Sequence, residues 1–339
     1  GRELVAVILA AGAFLSIWIS RLEKRPANII QPESHTLTFR WSKSLILILL
    51  VFSLSASVSA IWLNIQKHHA AAFLLWLIGI IGFLSAFLPM RVKKESFTFP
   101  KWSLGLLFLL ALAAGVRLYH LSHIPGRVDG DEGRQGRHGA LALVRNQRGA
   151  YETSDYPRRE EGKPLEWMRE GFPDLFGLGW NSFPNLGYAA QTLAFDLGGV
   201  SVKSIRTASA VIGSLALIPF FLYVRRLWPP LAAVVALSLL AFNSYAIGWS
   251  RIGLNAIQSF LTSAMILWTV TRAWQTRRLF DFALAGVALG LTFHVYTVAR
   301  VAVVIIAVFW TTGLVFGWLP RKKLLAGCLV AAAAMLITL

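Results

Sequence analysis

The chain of 339 residues is 56% hydrophobic and only 14% charged, and its mean hydropathy is +0.60. These values exclude a water-soluble globular protein and place the chain among the polytopic membrane proteins. A net charge of +17 would suggest a nucleic-acid partner in a soluble protein. Here membrane topology accounts for most of the charge, so no nucleic-acid partner is predicted.

The apolar segments predict ten transmembrane helices, because a helical span needs about 17–25 mostly apolar residues. In chain order the predicted spans are Leu4–Ser20, Ser44–Asn64, Ala71–Pro89, Ser103–Leu121, Val202–Val224, Pro230–Trp249, Asn255–Ala273, Phe280–Ala299, Val301–Leu319 and Leu324–Leu339. The predicted fold class is an all-α polytopic membrane protein whose long outer loop carries juxtamembrane helices. Because the last span stops with the chain, we expect the sequence to be a piece of a longer protein, truncated at its C-terminus.

The basic residues predict how these helices are oriented. Alternate connections carry seventeen of the thirty-three Lys and Arg residues, whereas the short connections on the opposite side carry only Lys67, Arg251 and Arg300. Connections rich in Lys and Arg stay in the cytoplasm, so the long loop is predicted to face the outside. The same rule places the moderately apolar Pro184–Gly199 on the outer surface as a juxtamembrane helix, which extends the outer loop to residues 122–201.

The outer loop carries most of the acidic residues. Ten of the sixteen Asp and Glu residues lie between Ser122 and Phe183, and the first three belong to the motif Asp129-Gly-Asp131-Glu132-Gly-Arg134. Carboxylates are costly near hydrocarbon, so three of them directly after a span indicate a functional site.

The segment Glu132–Arg148 predicts an amphipathic helix that lies on the membrane surface. Its N-terminus would stabilise the acidic cluster through the helix dipole; a solvated surface helix with an acidic cap explains the same pattern. Asp129-Gly-Asp131 also has the form of the Asp-x-Asp pair that holds a divalent ion. A divalent metal is therefore a cofactor that the motif allows, its ligands stay unknown, and no other cofactor is predicted.

Polar residues at the outer ends of the spans are expected to meet this loop. The candidate substrate-binding residues are Asp129, Arg134, Arg137, His138, Arg206, Arg251, Asn255, His294, Tyr296 and Arg300. Together they predict a pocket with carboxylates above and guanidinium groups below. Because Arg binds phosphate oxygens in a bidentate manner, such a pocket suits a lipid-linked phosphate.

These residues resemble the first outer loop of the C-type membrane glycosyltransferases. The resemblance lies in Asp131-Glu132-Gly-Arg134, in the following Ala140-Leu-Ala-Leu-Val-Arg, and in Phe183-Pro184-Asn185-Leu186. Among these enzymes the chain is most similar to the polyprenyl-phosphate-mannose protein mannosyltransferases and the lipid A aminoarabinose transferases. The resemblance covers Leu104–Leu339. It divides the chain into an extra three-helix leader (1–101) and a glycosyltransferase-like module (102–339).

The resemblance implies transfer of a hexose or pentose from a polyprenyl-phosphate donor to an acceptor protein, lipid or glycan at the extracytoplasmic face of the cell inner (plasma) membrane. By the motif match, Asp131 is the general base, Glu132 orients it or holds the acceptor, and Arg134 approaches the donor phosphate. The chain departs from the pattern at Asn255, where relatives often have an acidic residue, and at Pro184-Asn185, which replaces a Pro-Pro turn.

Two other functions remain open on the sequence. A transporter or flippase of a lipid-linked or anionic substrate would also need arginines at the outer face. Transporters usually have broken helices and polar residues at mid-membrane, whereas here the ionisable groups lie at the ends of the spans. A non-catalytic scaffold explains the long loop, but not an Asp-Glu pair beside spans that end in Arg.

Overall fold

The computed structural model describes residues 38–39, 42–88, 90–91, 102–140, 173–178 and 182–339. The first predicted span, Leu4–Ser20, lies outside these ranges. So do residues 141–148 of the predicted amphipathic helix, and the side chain of His138 is not described either.

The described residues are mostly helical. The helices are α1 (Lys43–Ile65), α2 (His69–Phe87), α3 (Trp102–Leu118), α4 (Gly130–Arg134), α5 (Ala189–Gly198), α6 (Val202–Leu215), α7 (Leu217–Leu227), α8 (Pro230–Ala241), α9 (Ser244–Arg251), α10 (Ile257–Thr276), α11 (Leu279–Leu291), α12 (Val301–Val315) and α13 (Arg321–Thr338). A π-helical turn (Gln135–Ala140) continues α4, and 3₁₀ turns cover Asn185–Tyr188, Thr292–His294 and Thr297–Arg300. Two antiparallel strands, β1 (Thr38–Phe39) and β2 (Met90–Arg91), pair with each other.

Four helical segments of the described ranges are long and apolar enough to cross a membrane: Lys43–Ile65, His69–Phe87, Val202–Leu227 and Thr297–Val315. Helices α8 and α9 form a fifth span if their bent pair is counted as one. Leu104–Leu118 and Leu279–His294 are shorter apolar helices. The chain is therefore a multi-pass membrane protein, while the predicted total of ten spans is not confirmed.

One predicted span, Pro230–Trp249, is broken in the structure. Helix α8 ends at Ala241, and α9 leaves it at an angle of 55°. The cause is local, because the side chain of Asn243 accepts a hydrogen bond from the backbone N–H of Ala246 at 3.0 Å and so caps a new helix. The carbonyl of Ala241 that the break exposes accepts a hydrogen bond from the guanidinium of Arg117 at 2.8 Å.

Most of the apolar core lies between α7, α8, α10, α11, α12 and α13, around buried side chains such as Leu217, Leu237, Val270 and Phe282. Helices α11 and α13 are in close contact at Gly286, where an added Cβ would meet a backbone oxygen of α13 at 2.1 Å. Small residues allow such backbone contact between membrane helices.

The hairpin of α1 and α2 packs against α11 and α13. Trp76 and Phe83 of α2 lie in one buried apolar cluster with Ala283 of α11 and Ile337 of α13. The indole N–H of Trp76 also donates to the carbonyl of Thr338 at 2.9 Å. The hairpin, which falls within the predicted leader, thus contacts two helices of the predicted glycosyltransferase-like module.

Candidate active site

The acidic motif forms the start of a short helix. Asp129 is the N-cap of α4, and its carboxylate accepts a hydrogen bond from the N–H of Asp131 at 2.8 Å. The Glu132 carboxylate accepts in turn from the N–H of Asp129 at 3.3 Å, which completes a capping box. The helix therefore begins at Gly130, two residues before the predicted start, and its carboxylates lie where the helix dipole favours them.

Glu132 and Arg206 form a buried ion pair. The Nε of Arg206 lies 2.7 Å from Oε1 of Glu132, and Nη2 lies 3.0 Å from Oε2, so the contact is bidentate. Both side chains are almost completely buried, at 1% and 0% exposure. A charge in such a place is tolerated only when it is paired and hydrogen-bonded, so the pair fixes α4 against the start of α6.

Arg206 also holds the segment that leads to the motif. Its Nη1 donates to the carbonyls of Leu121 at 3.0 Å and Pro125 at 2.8 Å, and its Nη2 donates to the carbonyl of Arg127 at 3.0 Å. The guanidinium group is thus engaged by protein atoms on all sides. Arg206, predicted as a substrate contact, lies beneath the motif and binds it directly.

Arg251, at the end of α9, also binds backbone carbonyls of the segment that leads to the motif. It donates to the carbonyls of Val116 and Tyr119 near the end of α3, and to the carbonyl of Ile124 at 3.1 Å. Arg206 and Arg251 therefore bind the same connecting segment, and both lie at the end of the helix bundle where residues 119–135 are found. We call this the motif end of the bundle.

Asp131 differs from its two acidic neighbours. Its side chain is 64% exposed and lies 3.6 Å from the guanidinium of Arg134, which is 67% exposed. The carboxylate of Asp129 caps the helix, and that of Glu132 is buried in the ion pair. Asp129 is exposed as well, so Asp131 is distinguished by a carboxylate that does not cap the helix and has an arginine beside it.

Asn255 is buried at the motif end, at 1% exposure. Its backbone N–H donates to Oε1 of Gln135 at 2.8 Å, while its side-chain amide has no hydrogen-bond partner among the described residues. Two residues that take part in these contacts were not predicted from the sequence. Gln135 accepts the hydrogen bond from Asn255, and Gly253 donates one to Glu132. The spacing of Glu132 and Gln135, three residues apart and so on one helix face, is the signal that could have found Gln135.

His294, Tyr296 and Arg300 form a second group. The Nε2 of His294 lies 2.6 Å from the carbonyl of Thr338, and the ring of Tyr296 lies 5.2 Å from the ring of Phe183. The guanidinium of Arg300 donates to the carbonyl of Phe293 at 3.3 Å. Within the described ranges, no hydrogen bond or ion pair joins this group to the acidic motif.

Two cavities lie at the motif end. A groove of about 720 Å³ is lined almost entirely by apolar residues of α3, the loop that follows it, the connection between α8 and α9, and α9 itself, with Arg251 in its wall. A smaller cavity of about 360 Å³ lies between the motif and α6 and is lined by Glu132, Arg137, Phe195 and Ile205 among others. In the part of the chain that the structure describes, no group of three His, Cys, Asp or Glu residues is arranged to hold a metal ion.

The apolar helices define a multi-pass membrane protein. Residues 183–339 match the family model described as dolichyl-phosphate-mannose-protein mannosyltransferase, and this match supports a membrane glycosyltransferase of the C type. The match confirms the resemblance drawn from the sequence and indicates a glycosyltransferase of the mannosyltransferase type. It begins after the acidic motif, so the roles of Asp131 and its neighbours stay predictions. No curated protein and no solved structure gives a significant match.

Proposed function

We propose that the protein transfers a sugar from a polyprenyl-phosphate donor to a hydroxyl group of an acceptor at the extracytoplasmic face of the inner (plasma) membrane. Asp131 is the general base. One observation carries this proposal: the carboxylate of Asp131 is exposed beside Arg134, whereas the carboxylate of Asp129 caps the helix and that of Glu132 is buried in the ion pair. The description of the matched family supports a mannosyl donor of this kind and a protein acceptor.

The reaction is an inverting displacement. Asp131 takes the proton of the acceptor hydroxyl as its oxygen attacks the anomeric carbon, and the bond from that carbon to the phosphate oxygen breaks. Polyprenyl phosphate leaves with the electron pair. Because phosphate is a good leaving group, the protein needs to supply only a base and charge stabilisation.

The other predicted residues act in two ways in this proposal. Arg134, beside Asp131, approaches the donor phosphate, with Arg137 and His138 following it along the chain. Glu132, Arg206 and Arg251 position the motif through the contacts that bury them. Asp129 caps the motif helix, while Asn255, His294, Tyr296 and Arg300 remain candidates for contacts to the sugar or the acceptor.

The apolar groove supports a lipid-linked donor. It has a volume of about 720 Å³, and it contains Arg251 and Tyr119 at the same end of the bundle as the acidic motif. An isoprenoid chain in this groove would bring its phosphate towards the motif. A free sugar nucleotide has no apolar chain that would use such a groove.

The test is transfer by purified protein from radiolabelled polyprenyl-phosphate sugars. We expect Asp131→Asn to lower turnover by about 10²–10⁴-fold, the usual contribution of a positioned base. Asp129→Asn is the matched control, because Asn is an equally good N-cap; its loss should be less than about tenfold. Equal losses in both variants would remove Asp131 as the base. Movement of labelled lipid across vesicles without any transfer would instead indicate the transporter.

A further inference from the structure

The turn between α9 and α10, residues Ile252–Ala256, binds the acidic motif through two backbone hydrogen bonds. The backbone N–H of Gly253 donates to Oε1 of Glu132 at 2.8 Å, and the backbone N–H of Asn255 donates to Oε1 of Gln135 at 2.8 Å. Glu132 and Gln135 are three residues apart and so lie on one face of the motif helix. Two donors of a single turn therefore fix that face, while Asp131 stays exposed.

The turn itself is held by two other helices. The carbonyl of Gly253 accepts a hydrogen bond from Nε2 of Gln191 in α5 at 3.0 Å. The carbonyl of Leu254 accepts one from the hydroxyl of Ser209 in α6 at 3.3 Å. Because these hydrogen bonds attach the turn to α5 and α6, the positions of its two donor N–H groups are fixed relative to those helices.

Position 253 has no room for a side chain. A Cβ there would lie 2.9 Å from Oε1 of Glu132 and 2.8 Å from Cγ2 of Ile205. A separation below 3.0 Å forces a shift of one partner. Glu132 is held by Arg206, so the shift must change the distance between the turn and the motif helix.

We propose that Gly253 is a positioning residue for the transfer reaction: by lacking a side chain, it lets the turn hold Glu132 and Gln135, and so places the Asp131 carboxylate at the reacting atoms. This inference rests on the proposed function, because the group that it positions is the proposed base. Ile252, the first residue of the turn, and Arg251, the last residue of α9, line the apolar groove. The turn thus links the groove to the motif.

The experiment compares wild-type protein with Gly253→Ala, both in lipid nanodiscs. We expect kcat to fall about 10²-fold, since a misplacement of about 1 Å at a reacting group costs that much. The donor KM should stay within about threefold, because the groove is unchanged while the base moves. Hydrogen–deuterium exchange of the peptide that covers residues 129–135 should become faster.

Two further variants separate the mechanism from general damage. Gly105→Ala is the matched control, because a Cβ at this position on α3 meets nothing within 4 Å; it should keep wild-type kcat and exchange. Ile205→Ala in the Gly253→Ala background removes the apolar part of the clash but not the contact with Glu132. It should leave kcat low.

Three results would overturn the inference: unchanged kcat in Gly253→Ala, a rise in KM alone, or recovery of kcat in the double variant. If Gly253→Ala does not fold, Gln135→Met tests the same contact between the turn and the motif. It removes the second acceptor at similar volume, and it should lower kcat while the donor KM stays within about threefold. If the wild-type protein transfers no sugar from any donor, the proposed function fails. The exchange comparison then still tests whether the turn fixes the motif.

Discussion

Removal of the carboxylate of Glu132 should destabilise the protein strongly. Glu132→Ala leaves the guanidinium of Arg206 buried, at 0% exposure, without its counter-charge. It also leaves the N–H groups of Gly253 and Asp129 without the acceptor that each now has. Breaking a buried ion pair by deleting one partner costs about 3–5 kcal/mol, and the unsatisfied buried donor at Gly253 adds about 1–3 kcal/mol, whereas the N–H of the exposed Asp129 can bond to water.

The carbonyls that surround Arg206 reduce this cost in part. Leu121, Pro125 and Arg127 still accept hydrogen bonds from the guanidinium after Glu132 is lost. We therefore expect a net loss of about 3–5 kcal/mol, near the ion-pair value itself. Glu132→Gln keeps the shape and one acceptor oxygen, and it should cost less, about 2 kcal/mol.

The measurement is reversible unfolding of the protein in mixed micelles by denaturing detergent, followed by circular dichroism. A double-mutant cycle with Arg206→Met isolates the pair, and we expect a coupling energy of about 2–3 kcal/mol between the two side chains. A loss below about 1 kcal/mol in Glu132→Ala would refute the reasoning, because that is the range of an exposed salt bridge. Asp131→Ala, which removes an exposed carboxylate from the same helix, is the control for stability.

Three other variants test the remaining structure. Gly115→Leu narrows the apolar groove and should raise the KM of a long-chain donor several-fold more than that of a short-chain analogue, whereas Gly105→Leu on the same helix should change neither. Gly286→Leu should lower stability by more than about 3 kcal/mol in thermal unfolding, because its Cβ would meet the backbone of α13 at 2.1 Å. Trp76→Phe removes the hydrogen bond to α13 and should cost about 1 kcal/mol in the same assay.

The sequence predicted the local features of the chain well. Ser44–Asn64 and Ala71–Pro89 correspond to α1 and α2, and Val202–Val224 corresponds to the long apolar segment Val202–Leu227. The acidic residues were expected at a helix N-terminus, and Asp129 forms that cap. Apolar run length and capping depend on neighbouring residues, so they can be read along the chain. The break at Asn243 was missed because a capping side chain inside a long apolar run gives a weak signal.

The sequence alone therefore determined the membrane class, most of the described spans and the acidic motif, because hydrophobicity and helix capping act over short distances along the chain. Only the tertiary structure decided what each charged residue does. Glu132 and Arg206 are 74 residues apart in the chain, and Gly253 lies 121 residues from the carboxylate that it binds. Burial, not residue type, separates Asp131 from Glu132. The Glu132 carboxylate accepts hydrogen bonds from Arg206, Gly253 and Asp129 and so positions the helix, while its exposed neighbour stays available to react.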